Sequence, residues 1–386
     1  MPGYELLGQE EFLEIKEIFD KSRILFRHSF DHLRNGVYKV RDFEQAFAKR
    51  MKVSHALAVS SGTAALRVGL AAMGIGKGDE VITQSFTFVA TVEAIIEAGA
   101  TPIIAEIDET LNIDPEDLKR KITSRTKAVM PVHMLGTPAR MEKILEIARA
   151  NNLRVFEDSA WGCGGTLNGQ PLGTIGDMGA YSFDFAKTMT TGEGGMLVTN
   201  NAEFYAKAAA YHDHGHENNP NFPRWEDSRS GTGFNYRVTE LQGAVGLAQL
   251  KKLDEVVRRQ RENADTIWTA IRGIPGIQRR EQPSGSAGTA DALVFFVNNA
   301  ETAKACRKAL LEAGAGTKIL PEAITWHFAG TWTHMPELVA ANGNDLATAF
   351  PASLKILERA VALPIVVMMN PEYPQKVATA LRTVLK

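Results

Sequence analysis

The rhythm of apolar and polar positions changes near residue 55. Before it, residues 11–20 (EFLEIKEIFD) and 41–52 (RDFEQAFAKRMK) repeat apolar side chains at helical spacing, and a polar connection rich in His, Arg and Asn joins them. Beyond it, short β-like runs alternate with amphipathic helical patterns. HALAVS leads to a helix after Gly62, DEVIT to FVATVEAIIEAG, and TPIIAEI to PEDLKRKI; AVMPVHM, ARMEKILEIARANN and LRVFED extend the series. This alternation predicts an α/β chain with a mainly parallel sheet between helices. Ligands of such sheets bind beyond the carboxyl ends of the strands. The residues that directly follow each apolar run are therefore the ones to read for chemistry.

Two further β-like runs, Ala180–Phe185 and Met196–Thr199, bracket Lys187, three threonines and the turn Gly192-Glu193-Gly194-Gly195. A polar, irregular insertion spans 213–233. GFNYR follows, then a long helical pattern from Thr239 to about Asn263, whose apolar face is marked by Leu241, Val245, Leu250, Leu253 and Val257. Past a loop-rich stretch (Gly273–Gly288), DALVFFV reads as a strand, and TAKACRKALLEAG and PQKVATALRTVL as helices. The predicted division is an N-terminal segment with a large domain over 1–254, and a smaller C-terminal α+β domain over 255–386, linked by the long helix.

Composition narrows the class. The 386 residues are 44% hydrophobic and 23% charged, with a formal net charge of −2, ordinary for a globular chain of this length. So balanced a charge gives no electrostatic case for nucleic acid or an anionic membrane. The first residues lack the basic-then-apolar pattern of a secretory signal, and no apolar run approaches the roughly 18 residues of a membrane span. Cys163 and Cys306 stand far apart and form no CxxC. Together these predict a cytoplasmic protein with free thiols.

Four positions give Lys187 chemical company. A lysine held between buried strands loses hydration, and its free amine is favoured, the form that condenses with an aldehyde. Ser60-Ser61-Gly62-Thr63 ends a strand and starts an Ala/Leu-rich helix, either a phosphate cradle or an ordinary helix cap. Phe88, after the strand DEVIT, can stack on a flat ring or belong to the core. Asp158 ends the run Leu153–Phe156, where a carboxylate can hold a pyridinium nitrogen protonated or cap a helix. Ser182 is a second phosphate donor. Phosphate cradle, stacking ring, acid and amine are the set that pyridoxal 5'-phosphate requires. Gly74-Ile75-Gly76-Lys77-Gly78 matches neither the dinucleotide nor the P-loop spacing.

The order SSGTAAL, SFTFVAT, EDSAWG, SFDFAKTMTTGEGG and GFNYRVTELQGAVGLAQL resembles the nucleotide-sugar aminotransferases of the DegT/DnrJ/StrS type over about residues 4–386. The resemblance implies the aspartate-aminotransferase (type I) fold of pyridoxal-phosphate enzymes. It implies Lys187 as Schiff-base lysine and proton shuttle, Asp158 as partner of the pyridine nitrogen, and Phe88 as the stacking ring. Gly62, Thr63 and Ser182 would hold the phosphate, and Asn235 of GFNYR would reach it from a neighbouring subunit of a homodimer. The implied reaction moves an amino group from an amino acid, glutamate, to a keto-sugar, nucleotide-linked sugar or sugar acid. The N-terminal PGYELLG and FDHLRNG are similar to the amino-octulosonate branch, which implies an 8-amino sugar acid as product. Sugar dehydratases of the family replace the lysine with histidine; a non-catalytic sensor is the other alternative. Trp161 stands where the family usually has Gln or His, and Gln84-Ser85 where Pro-Ser is usual.

The remaining polar clusters have weaker claims. His212, His214 and His216 alternate in HDHGH, but the surrounding loop offers no thiol and no evident carboxylate ligand, so no metal is expected. In the family this loop crosses toward the partner's site, which makes His216, Asn218 and Arg224 candidates for substrate contact. His133 ends a strand and faces the cofactor pocket or serves the structure. Trp326, His327 and Trp332 are candidates for substrate contact or for packing.

Overall fold

The structure, a computed structural model, describes residues 2–219, 221–343 and 345–385. The strands β1 (His55–Val59), β2 (Glu80–Gln84), β3 (Thr101–Ala105), β4 (Thr126–Val129), β5 (Arg154–Asp158), β6 (Met178–Ser182) and β7 (Gly195–Thr199) form one sheet in the order β1-β7-β6-β5-β4-β2-β3. Pairing is parallel from β3 through β6, whereas β7 runs antiparallel to both of its neighbours. The carboxyl ends of β1, β2, β4, β5 and β6 therefore open on one edge, as the alternation predicts.

Every residue of β2, β6 and β7 is buried, the polar Glu80, Thr83 and Gln84 of β2 included, as expected for strands covered on both faces. Period-two alternation sorts side chains to opposite faces. Val81, Ala128 and Phe156 join the helices Gly62–Ala72 (α1) and Ala202–Tyr211 in one core; Ile82, Val129 and Val155 pack with Leu118, Met141 and Ile144 in another.

The long helix α2 runs unbroken over Glu240–Ile271, so residue 254 lies inside it rather than at a break in the chain. It starts at a capping box in which Thr239 N–H donates to Gln242 Oε1 at 2.8 Å. Its buried stripe is in part the one expected, with Leu253 and Val257 buried. Leu241, Val245 and Leu250 are only partly buried, while Gly243 and Gly246 are fully covered. The helix Lys39–Met51 comes so close that a Cβ on Gly243 would stand 2.5 Å from Val40 N, and one on Gly246 2.6 Å from the Phe43 ring. Close approach of backbones, not bulk, seals this contact.

The C-terminal unit adds β8 (Gln278–Arg279), β9 (Ala292–Phe296) and β10 (Ala360–Pro364), antiparallel in that order. Leu293, Phe295, Val361 and Leu363 face the helices Ala300–Glu312 and Tyr373–Val384 and the end of α2. Val294, Phe296, Ala360 and Ala362 face a core shared with Phe86, Trp161 and Phe328. That shared core fixes the small unit over the open edge of the large sheet. No described helix is long and apolar enough to cross a membrane.

Candidate active site

Lys187 sits in the turn-rich link between β6 and β7. Asp184 shapes the link, its Oδ1 accepting from Ala186 N–H at 2.9 Å and its carbonyl from Lys187 N–H at 3.1 Å. The lysine Nζ lies 3.9 Å from the centroid of the Trp161 ring, a cation–π contact. Burial lowers its pKa to about 8, against the opposing pull of the Asp291 carboxylate and with a further push from the Lys318 ammonium. Near neutral pH, a useful fraction of this amine is free to act as a nucleophile or base.

Asp158 ends β5 beneath the same edge. Its Oδ2 accepts from Thr91 Oγ1 at 2.8 Å and its Oδ1 from Ala160 N–H at 3.1 Å, and the Thr91 hydroxyl meets that of Thr87 at 2.7 Å. Burial raises its pKa, while these hydrogen bonds and then the Lys187 charge oppose the rise. A cationic nitrogen at this carboxylate would supply the counter-charge that burial withholds.

Its neighbour Glu157 points to the other face of the sheet. It accepts N–H groups from Gly173, Ile175 and Gly176 and faces His133 Nε2 at 2.9 Å. Because His133 Nδ1 accepts from Ala139 N–H at 3.1 Å, its Nε2 carries the proton toward Glu157. His133 thus serves the structure and does not face the pocket.

Gly62 opens α1 directly against β6. A Cβ there would stand 2.8 Å from Ser182 Cβ, so a larger residue would push the helix away from the strand end. Ser61 caps the helix by accepting from Ala64 N–H at 3.0 Å. The first-turn N–H groups, those of Gly62 and Thr63 among them, have no partner within the helix and point outward with its positive dipole end. Thr63 lines an open cleft of about 530 Å³ with Ser60, Ser61 and Tyr236.

Phe88 is 43% exposed, unusual for a ring beside a strand end. His327 lies 5.7 Å from it and 6.1 Å from Trp161, centroid to centroid, and its Nδ1 is buried without a partner. Burial lowers the His327 pKa to about 4, which leaves the imidazole neutral. Backbone bonds hold it there: Thr87 N–H donates to His327 O at 2.9 Å and Ala329 N–H to Ser85 O at 2.8 Å. Trp332 is buried and donates Nε1–H to Thr325 O at 3.1 Å, a packing role, whereas Trp326 is exposed. Lys187, Asp158, Phe88 and His327 thus gather at one edge, next to Gly62, Thr63 and Ser182. Sequence reasoning missed Trp161 as the residue under the ammonium; its departure from the usual Gln or His was the available signal.

The loop over 213–237 behaves differently. Arg224 is spent on Asp213 through two hydrogen bonds of 2.8 and 2.5 Å, and Arg237 and His28 meet the same carboxylate. His216 Nδ1 faces Asp227 at 3.2 Å. Within one chain, His216 and Arg224 are thus engaged inside their own loop rather than brought to Lys187. Asn235 is exposed, its Oδ1 accepting from Arg237 N–H at 3.3 Å. The three imidazoles of HDHGH do not converge: His212 bonds the carbonyl of Ala209, and His214 has a left-handed backbone. Among the described residues there is no group of three or more potential metal ligands.

Known proteins share this chain's sequence pattern and fold. The sequence profile of the DegT/DnrJ/EryC1/StrS aminotransferase family matches residues 26–382. The GDP-perosamine synthase of Escherichia coli O157:H7 is 43% identical over 244 residues, covering 63% of this chain and 66% of that protein. The GDP-perosamine synthase of Caulobacter vibrioides is 46% identical over 215 residues, covering 55% and 57%. The matched region thus spans less than two thirds of either relative. The crystal structure of an aminotransferase from Psychrobacter cryohalolentis superposes with a TM-score of 0.85 at 27% identity, covering 98% of this chain and 97% of that one.

Proposed function

This chain belongs to the DegT/DnrJ/EryC1/StrS aminotransferase family, and from that premise we propose that it transfers an amino group from an amino acid, L-glutamate, to a keto-sugar. The family's cofactor is pyridoxal 5'-phosphate. The residues present fit it: Gly62 leaves a cradle against Ser182 that a Cβ would close. Gly62, Thr63 and Ser182 would hold the phosphate, Phe88 the ring face, and Asp158 the ring nitrogen. When bound, the cofactor supplies a carbonyl carbon for amines and a ring that accepts electrons.

The observation that carries this reading is the meeting of the Lys187 amine, 3.9 Å from the Trp161 ring, with the tethered Asp158 carboxylate at one edge of the sheet; burial lowers the Lys187 pKa to about 8. With the α-carbon acidified by the electron-accepting ring that the cofactor would supply, Nζ would take its proton and return it elsewhere, and an amine that titrates near 8 exists in both forms near neutral pH. Asp158 is kept in one orientation by Thr91 and Ala160 N–H, so its charge does not reorganise as the reaction proceeds. The Trp161 ring lies against the Lys187 amine and lies 6.1 Å from the His327 ring, centroid to centroid.

Similarity to the GDP-perosamine synthases supports a nucleotide-linked keto-sugar as acceptor. The N-terminal segment, by its resemblance, supports a sugar acid. A second copy of the chain would bring Asn235 to the phosphate, and the exposed Phe222, Trp225 and Phe234 around it supply apolar surface for such a contact. The test is a half-reaction without acceptor. Glutamate added to the holoenzyme should release one 2-oxoglutarate per subunit, and failure of glutamate and of every other amino acid to release its own 2-oxo acid would refute the reading.

A further inference from the structure

Behind the active cleft lies a second cavity, of about 250 Å³, between α2, the strands β8 and β9 and the turn at Gly136–Thr137. Arg261, Arg279 and Arg280 line it, and Asp265 is the one carboxylate among its described lining residues. Arg279 reaches that carboxylate only at 3.4 Å. Arg280 is 5% exposed; its Nε and Nη2 donate to the carbonyls of Thr110 and Met134 at 2.6 and 2.9 Å, and its Nη1 has no partner. Arg261 likewise donates only to carbonyls, those of Gly288 and Ala287 at 2.7 and 2.6 Å. Neither Arg261 nor Arg280 joins an ion pair among the described residues.

A guanidinium keeps its proton in proteins, so a buried one cannot escape its desolvation cost by neutralising. Carbonyl dipoles offset that cost only in part; an anion offsets it directly. Burial lowers the pKa of both Arg261 and Arg280, that of Arg280 to about 9, which is the same deficit seen from the proton's side. The cavity is smaller than the roughly 300–1,000 Å³ of drug-sized ligand pockets, and its size suits a single charged group.

We propose that this cavity binds a small oxyanion, a phosphate or carboxylate group, held at Arg261 and Arg279 in the field of Arg280. The site borders a segment that also reaches the surroundings of the lysine. Gly288, Ala290 and Ala292 line the cavity, while between them Thr289 donates to Trp161 O at 3.0 Å and Asp291 holds Lys318 at 2.6 Å. Trp161 and Asp291 are the groups that touch Lys187 or act on its charge. An anion here therefore acts on the segment that leads through Asp291 into β9.

The test is titration calorimetry on the holoenzyme, in which the cofactor's own phosphate occupies the cradle at Gly62. Inorganic phosphate and, separately, malonate are titrated at ionic strength held constant with sodium chloride. Saturable binding of one anion per chain is expected, weakened at least 10-fold in Arg279→Glu, whose side chain is exposed enough to reverse without unfolding the chain, and in Arg261→Gln. Binding of phosphate alone, or of malonate alone, would support the site and assign its ligand. No saturable heat from either anion in the wild type, or equal binding in wild type and both variants, would overturn it. Neither result depends on turnover, so failure here leaves the proposed reaction standing.

Discussion

Around Lys187 the polar groups stay open, whereas in the loop over 213–237 they close on one another. The Lys187 amine faces an aromatic ring, the Asp158 carboxylate accepts two neutral donors but no cation within hydrogen-bond reach, and His327 Nδ1 has no partner. In the loop, one buried carboxylate, Asp213, gathers Arg224, Arg237 and His28, and Asp227 gathers His216 with the N–H groups of Asn218 and Asn219. The two regions are similarly polar. Their difference is the one between a site that awaits a ligand and a surface that must hold its own shape before it meets anything. Unsatisfied buried groups are costly; beside the lysine that cost falls on His327 Nδ1, whereas at the base of the loop the imidazoles of His28 and His212 each leave Nε2 without a hydrogen bond.

The sharpest break of this contrast is Lys187→Ala. Removing the proton carrier should cut glutamate-dependent formation of 2-oxoglutarate by about 10⁴-fold, measured in single turnover, while the protein unfolds at a denaturant concentration no lower than wild type. Asp213→Asn should do the reverse. It leaves Arg224 and Arg237 against an amide, and stripping one partner from a buried charge network costs about 3–5 kcal/mol. Urea unfolding and protease nicking of the 213–237 loop should report that loss, with the half-reaction retained once folding is verified. If Asp213→Asn abolishes the half-reaction as completely as Lys187→Ala, the two regions form one machine and the contrast fails.

Acidification probes the loop side more gently. Burial holds His212 neutral and pushes its pKa down to about 3; the unfolded chain would protonate it near 6.5. Between those values the unfolded state binds the extra proton, so stability falls as pH drops through the window and is regained as pH rises. The slope is at most about 1.4 kcal/mol per pH unit for this one group. Burial lowers His28 in the same direction. Unfolding midpoints measured from pH 7.5 to 5 should decline, and His212→Phe should flatten that decline.

Legibility followed locality. Lys187, Asp158 and Phe88 each directly follow an apolar run, so strand alternation alone singled out their positions. Gly62 was legible as the start of a helix, although its contact with Ser182 is a tertiary fact. His327 and the carboxylate of Asp291 reach the site from strands and loops more than a hundred residues away, and no local period reports that. The glycine stripe of α2 was not legible because the pattern weighs bulk, while Gly243 meets the backbone at Val40 and Gly246 the Phe43 ring. The ion pairs of Arg224 and His216 were hidden for the opposite reason: their partners, Asp213 and Asp227, lie 11 residues away across an irregular loop with no period to follow.

The smallest expected effect concerns the open side alone. Asp291 raises the pKa of Lys187 and Lys318 lowers it, and the two are paired at 2.6 Å. Asp291→Asn deletes the anion and leaves the Lys318 charge unopposed, so both consequences lower the Lys187 pKa below about 8. Lys318→Met deletes the cation and leaves Asp291 unopposed, so both consequences raise it. Each shift should stay under about 1.4 kcal/mol, one pKa unit, because charges across a partly hydrated cleft are strongly screened. The measurement is the pH dependence of covalent labelling of Lys187 in cofactor-free protein, read by mass spectrometry of the peptide that carries it. Opposite displacements of the midpoint tie the openness of the lysine side to this one ion pair. Displacements of the same sign would mean that hydration of the cleft, not the pair, sets the proton affinity of the amine.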